Sequence, residues 1–110
     1  MVTNFCRGAL GNLKRTALLQ NFPNPFNPET WIPFVLAEPT DVEIGIYDLS
    51  GRRVRRLELG NRNAGVYHSK EKAAYWDGKN DAGEAVSSGV YFYELRTESE
   101  TFVRKVMLLK

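Results

Sequence analysis

One stretch of the chain, residues 77–84 with the sequence DGKNDAGE, brings together oxygen-bearing side chains that would suit calcium, which binds carboxylate and carbonyl oxygens. The spacing does not follow an EF-hand loop, and Lys79 stands where an oxygen ligand would be needed. Asp, Asn and Gly also build turns through local backbone hydrogen bonds. We therefore interpret residues 77–84 as a turn and predict no metal ligands, with calcium at this loop left as the alternative.

The residues that could support catalysis are few. The chain has one histidine, His68, and one cysteine, Cys6, which together cannot supply the ligands of a zinc site. His68 on a predicted strand defines no Ser-His-Asp triad. No pair of carboxylates is placed for acid–base chemistry, and five of them lie beside turn residues: Asp41, Asp48, Asp77, Asp81 and Glu84. We predict that the chain is not an enzyme, with no catalytic, cofactor-binding or metal-binding residues and no cofactor.

The length of 110 residues corresponds to one globular domain, and 43% of the residues are hydrophobic. The net charge of +2 is too small to predict nucleic acid as a partner. No apolar run reaches the roughly 18 residues that a transmembrane helix needs. A single cysteine cannot form an internal disulfide, so packing alone must hold the core. We expect a monomer without a transmembrane segment.

Alternating apolar residues at Val42, Ile44 and Ile46 predict a half-buried strand. Six further strands are predicted over residues 17–22, 30–36, 53–59, 66–76, 90–96 and 102–109. Pro33 should place one of them at an edge or bulge, and residues 90–96 should lie centrally in a sheet. About seven strands without a convincing helix predict an all-β fold, an immunoglobulin-like antiparallel β-sandwich. The domain should cover residues 17–110, with residues 1–16 as a linker or the end of a preceding domain.

Two groups of residues suggest binding. Pro23, Pro25 and Pro28 fall within six residues and predict a stiff, extended crossing, because proline lacks an amide donor and restricts the preceding residue. Trp31 and Trp76 could form a carbohydrate platform or a hot spot for a protein partner. Core packing is the alternative for both indoles.

Three stretches of the chain carry a family resemblance: LQNFPNPFNPET at residues 19–30, YWDGKNDAGEAVSSGVYFY at residues 75–93, and RKVMLLK at residues 104–110. Taken together, they resemble the type A C-terminal sorting domain of type IX secretion cargo. The set is also similar to the Ig-like domain of flagellar hook-capping proteins. The resemblance covers residues 17–110.

The resemblance implies a domain that directs an upstream cargo domain through the periplasm and across the outer membrane, to be secreted or kept at the cell surface. Its partners would be proteins of the outer-membrane secretion machinery, and any cleavage would fall within residues 1–16. The recognition residues that it implies are Pro23, Asn24, Pro25, Gly89, Tyr91, Lys105, Val106, Leu108 and Lys110. Two alternatives remain open: a structural Ig-like module for adhesion or scaffolding, and a carbohydrate-binding module.

Each implied recognition residue also has a structural explanation. The prolines could fix how the chain enters its first strands. Gly89 could permit a close approach of two backbones, and Val106, Leu108 and Leu109 could fill the core. Recognition by another protein therefore needs residues that the fold leaves accessible.

Overall fold

The computed structural model describes residues 15–109, which form nine strands and no helix. The strands are β1 (Ala17–Leu18), β2 (Thr30–Ile32), β3 (Phe34–Leu36), β4 (Thr40–Tyr47), β5 (Arg53–Arg62), β6 (Gly65–Tyr67), β7 (Ala74–Trp76), β8 (Gly89–Arg96) and β9 (Thr101–Leu108). Most of the predicted linker, residues 1–14, and the predicted recognition residue Lys110 lie outside the described residues.

Two layers of antiparallel strands build the fold. One is a four-stranded sheet in the order β5-β4-β8-β9. The other combines the three-stranded sheet β1-β3-β6 with the two-stranded sheet β2-β7. The prediction that residues 90–96 are central is confirmed, since β8 pairs with β4 on one side and β9 on the other.

Three of the predicted strands were too long. Residues 30–36 form two strands separated at Pro33: β2 pairs with β7, whereas β3 pairs with β1 and β6. Proline has no N–H for a ladder, so the chain changes sheet at Pro33 rather than bulging within one. Residues 66–76 are broken by a turn in which the N–H groups of Lys72 and Ala73 donate to the Ser69 carbonyl. Of residues 17–22, only Ala17–Leu18 is strand.

The pairing of β4 with β5 is irregular at two places. The register shifts between Ile46 and Tyr47, which leaves Val54 without a partner in the ladder. In the sequence, the apolar alternation of this strand slips between Val54 and Leu57, which predicts a twist or a bulge, and the structure has a bulge at Val54. A second shift, opposite Leu59, lets β5 continue to Arg62, beyond the predicted end at residue 59.

The buried side chains of both layers form one core. It contains Leu18, Phe26, Ile32, Phe34, Leu36, Val42, Ile44, Ile46, Ala74, Trp76, Tyr91, Tyr93, Leu95, Val106 and Leu108. Trp76 is its largest fully buried side chain. The ring of Trp76 contacts Phe26 at a centroid distance of 5.2 Å and Tyr91 edge-on at 5.8 Å. Burying such aromatic rings contributes most of the driving force available to a small domain without a disulfide.

Gly78 allows the loop at residues 77–84 to pass close to the proline-rich stretch. Its φ is +76°, and a Cβ built there would lie 2.5 Å from the Pro28 carbonyl oxygen. Gly83, in the same loop, has a φ of +86° but open space where its Cβ would be. The two glycines therefore share a backbone constraint and differ in the space around them.

Gly78→Ala should destabilise the domain by at least about 1 kcal/mol more than Gly83→Ala. Both substitutions place a Cβ in the left-handed region, at a cost of about 1–2 kcal/mol. Only the Gly78 variant must also push two backbone segments apart. Urea unfolding of both variants measures the difference, and equal losses would show that the close approach to Pro28 is not needed for stability.

Candidate recognition surface beside the last strand

The proline segment, residues 19–29, lies along the outer edge of β9. Asn24 Oδ1 accepts a hydrogen bond from the Met107 N–H at 3.0 Å. The Phe26 N–H donates to the Met107 carbonyl at 2.9 Å, and the Leu109 N–H donates to the Phe26 carbonyl at 3.0 Å. An edge strand leaves every second residue's backbone groups unpaired, and the proline segment pairs these groups at the end of β9.

The covering of β9 extends towards its middle through two side chains. Arg104 Nε donates to the Leu18 carbonyl at 2.7 Å, and Gln20 Nε2 donates to the Lys105 carbonyl at 3.1 Å. A partner strand could therefore pair with this part of β9 only after displacing Gln20 and the contact between Arg104 and β1. Recognition at β9 must instead use side chains that remain accessible on the surface.

A buried polar network holds the start of the proline segment. Tyr93 Oη donates to the Leu19 carbonyl at 2.7 Å and accepts from the Asn21 N–H at 2.9 Å. Asn21 Nδ2 donates to the Pro23 carbonyl at 3.0 Å and to Thr30 Oγ1 at 2.9 Å. Tyr93, Asn21 and Thr30 are all buried, and burial raises the pKa of Tyr93 to about 12. A buried polar group without a partner costs free energy. Because release of the proline segment would leave these groups unpaired, the network holds the segment against β8.

Sequence reasoning did not single out Asn21, Thr30 or Tyr93 as a group. A signal was available in the polar residues Asn21 and Thr30, which flank the prolines and stand next to apolar residues. Tyr93 lies 72 residues after Asn21 and 63 residues after Thr30. A local sequence pattern therefore does not reveal that the three residues form one network.

The three sequence stretches of the family resemblance meet at Phe26. Its backbone forms a parallel bridge to Leu108 in β9, and its ring packs on Trp76. Trp76 in turn contacts Tyr91, whose Oη donates to the Ser87 carbonyl at 2.7 Å. Residues far apart in sequence thus form one junction between the proline segment, the strand β7 and the last strand.

The structure divides the predicted recognition residues into two groups. Pro23, Asn24, Pro25 and Lys105 are exposed, whereas Tyr91, Val106 and Leu108 are buried in the core and Gly89 is half-buried at the start of β8. The close backbone approach suggested for Gly89 is wrong, because a Cβ there would have nothing within 4 Å. Its φ of +153° explains glycine at this position instead.

Two exposed apolar residues adjoin this group. Met107 is 37% exposed and Leu109 is 51% exposed, so the expectation that Leu109 fills the core is wrong. Leu109 follows the end of β9, beyond the alternation that buries Val106 and Leu108. We name the accessible set the β9 corner; it consists of Pro23, Asn24, Pro25, Lys105, Met107 and Leu109.

The loop at residues 77–84 covers the opposite edge of the four-stranded sheet. The Asp81 N–H donates to the Val54 carbonyl at 2.9 Å, and Asp81 Oδ1 accepts from the Arg56 N–H at 3.0 Å. Asp77 Oδ1 accepts from the Lys79 N–H at 3.0 Å and from Arg55 Nη1 at 2.9 Å. These carboxylates bind backbone and arginine donors, the turn role expected from the sequence. Within residues 15–109, no three His, Cys, Asp or Glu side chains are grouped to hold a metal ion.

The two tryptophans have different environments. Trp76 is fully buried, and its Nε1 donates to the Lys79 carbonyl at 2.9 Å. Trp31 is half-buried on the other face of the β2–β7 ribbon. A carbohydrate platform that uses both indoles is therefore wrong. The part of the chain that the structure describes also contains no helix long and apolar enough to cross a membrane.

The two packed antiparallel layers, the all-β content and the single shared core define an immunoglobulin-like β-sandwich. The FlgD Ig-like domain family matches residues 29–101, and the chain belongs to this family. No curated protein matches the chain.

Three of the solved structures that are similar in fold to this chain are PorU, FlgD and PorZ. Dimeric latent PorU from Porphyromonas gingivalis superposes with a TM-score of 0.63 at 19% identity, over 86% of this chain and 9% of PorU. FlgD from P. aeruginosa gives 0.53 at 23% identity, over 87% of this chain and 64% of FlgD. PorZ of P. gingivalis, described as an essential bacterial surface component of the type IX secretion system, gives 0.56 at 16% identity, over 94% of this chain and 12% of PorZ. The chain thus corresponds to a small part of PorU and PorZ and to less than two thirds of FlgD.

Tyr93→Phe should destabilise the domain by about 1–3 kcal/mol at neutral pH, because the buried Asn21 N–H and Leu19 carbonyl lose their partner. This deficit should shrink at high pH. The unperturbed phenol titrates at 10.0, but Tyr93 in the folded chain titrates at about 12. Its raised pKa therefore gives stability that is fully present below pH 10 and is lost as the pH rises to 12.

Urea unfolding of the parent chain and of Tyr93→Phe at pH 8, 10 and 11 measures both effects. Amide exchange at Met107 and Leu109 reports on whether the proline segment loosens in the variant. An unchanged gap in stability across this pH range would contradict the assignment of the titration to Tyr93.

Proposed function

We propose that the chain is a C-terminal sorting domain, which directs an upstream cargo domain through the type IX secretion machinery to the cell surface. The observation that carries the proposal is that the three resemblance stretches meet at Phe26, where two of them form an accessible surface, the β9 corner. The likeness in fold to PorZ, which is described as a component of the type IX secretion system, supports a connection with this system. The domain acts as a monomer by binding proteins and has no catalytic activity of its own.

The β9 corner has the properties that a protein-recognition site requires. Met107 and Leu109 offer apolar area, Lys105 offers a positive charge beside it, and Pro23 and Pro25 form a stiff rim. Hydrogen bonds to β9 already order the proline segment, so little conformational entropy is lost when a partner binds. The buried residues Tyr91, Val106 and Leu108 contribute by shaping the corner rather than by touching the partner.

A secretion assay tests the proposal with the full chain. Residues 1–110 are fused behind a periplasm-exported reporter in a bacterium that has type IX secretion, and the surface and medium are assayed for the reporter. The triple variant Lys105→Glu, Met107→Ser, Leu109→Ser should reduce secretion at least about tenfold. This corresponds to a loss of about 1.4 kcal/mol in the free energy of binding to the secretion machinery. Circular dichroism and urea unfolding of the purified chain verify that the variant still folds.

A matched triple variant controls for general changes in surface character. Lys72→Glu, Val66→Ser and Leu49→Ser also replace one exposed cation and two exposed apolar residues, away from β9. This control should be secreted like the parent chain. Equal secretion of both triple variants and the parent would refute recognition at the β9 corner, and a parent fusion retained in the periplasm would refute the sorting function itself.

The second candidate function is a structural Ig-like module for scaffolding, which the membership in the FlgD Ig-like family favours. Such a module would pack against neighbouring domains and would not export a reporter. Retention of the folded parent fusion, as described above, would therefore favour this alternative.

A further inference from the structure

Three aromatic rings form a row on the β2–β7 ribbon and the proline segment beside it. Phe22 and Trp31 form an antiparallel bridge, and Trp31 pairs directly with Tyr75. The ring centroids are 6.2 Å apart in the first pair, with an interplanar angle of 22°, and 5.5 Å apart in the second, with an angle of 51°. Side chains directly opposed across antiparallel strands lie on the same face. We name Phe22, Trp31 and Tyr75 the aromatic ladder.

The aromatic ladder lies on the side of the ribbon that faces away from the core. The alternate residues of the two strands, Thr30, Ile32, Ala74 and Trp76, are all buried. Tyr75 is 45% exposed, and Phe22 and Trp31 are half-buried. The core does not require three aromatic rings on this outer face, so the ladder is available for a ligand.

The size of the ladder indicates what kind of ligand it fits. A fully buried aromatic side chain covers about 150–250 Å², so the exposed parts of these three rings amount to an area on the order of 200 Å². A stable protein interface needs about 800 Å² on each partner. The ladder is too small for such an interface, but it matches the face of one or two sugar rings.

Polar groups border the aromatic ladder. Tyr75 Oη donates to Glu29 Oε1 at 2.6 Å, and the Lys70 ammonium lies 4.4 Å from the centroid of the Trp31 ring. A carboxylate and an ammonium beside aromatic faces are suitable partners for sugar hydroxyls. Lys70 covers Trp31 in the free chain, but an exposed cation–π contact shifts an equilibrium by only about 2- to 5-fold and is readily displaced.

We propose that the aromatic ladder is a carbohydrate-binding site. A pyranose ring stacks its C–H face on Trp31 beside Tyr75, while Glu29 and the displaced Lys70 bind its hydroxyls. The site shares no residue with the β9 corner, although Phe22 is adjacent to Pro23 in the chain, and it does not depend on the sorting function.

Titration of the ¹⁵N-labelled chain, residues 1–110, with chitohexaose, cellohexaose and mannohexaose tests the proposal by NMR. At least one sugar should shift the Trp31 indole resonance with a Kd of about 1–10 mM or tighter. The Trp76 indole, which is buried and bonded to Lys79, should stay unchanged and serves as an internal reference. No shift of Trp31 with any of the three sugars at about 10 mM would overturn the proposal.

Three variants distinguish a binding site from a merely structural row of rings. Tyr75→Ala should weaken binding at least about fivefold, through loss of a flanking ring. Lys70→Ala should weaken binding about 2- to 5-fold, through loss of the hydrogen bond that the displaced ammonium donates to a sugar hydroxyl. Val66→Ala, at an exposed apolar position on β6, should leave the Kd unchanged.

Other outcomes count against the site. Binding with the same Kd in Tyr75→Ala and Lys70→Ala would place the sugar elsewhere on the chain. Shifts of ladder resonances with protein concentration alone would show that a second copy of the chain, rather than a sugar, covers the ladder.

Discussion

The N–H of Phe26 donates to Met107 and its carbonyl accepts from Leu109 at the end of the last strand, while its ring is packed on Trp76. This single residue joins the proline segment to the edge of the four-stranded sheet and to the core at the same time. The hydrogen bonds satisfy groups that an edge strand otherwise leaves open, and the ring excludes water from them. The position of the β9 corner, and the passage of Gly78 beside Pro28, both depend on this anchor.

Both edges of the four-stranded sheet are closed in the same way, by an irregular segment rather than by another strand. The proline segment covers β9, and the loop at residues 77–84 covers β5 through Asp81. Exposed strand edges can pair with other chains and lead to aggregation. Two of the stretches that carry the family resemblance thus protect the sheet, which gives them a physical role in the fold that is independent of any receptor.

Because these stretches protect the sheet, only some of their residues are accessible to a partner protein. Three of the residues that the resemblance implies are buried in the core: Tyr91, Val106 and Leu108. A substitution at any of them would lower the stability of the domain, whether or not a partner binds. The accessible residues are the prolines, Asn24 and Lys105, together with Met107 and Leu109. The aromatic ladder contains none of these accessible residues, although Phe22 adjoins Pro23, so the two proposed sites use different side chains.

Periodicity in the sequence determined the all-β class, the long strands β4, β8 and β9, and the bulge at Val54. Turn chemistry determined the role of residues 77–84. Each of these features depends on neighbours within a few positions of the chain. The change of sheet at Pro33 and the division of residues 66–76 were decided by long-range pairing, which local pattern does not encode. The candidate site divides in the same way. Its prolines and Lys105 could be named from sequence. The exposure of Leu109, the burial of Trp76 against Phe26 and the bond from Tyr93 to Leu19 are decided only when segments far apart in sequence pack together.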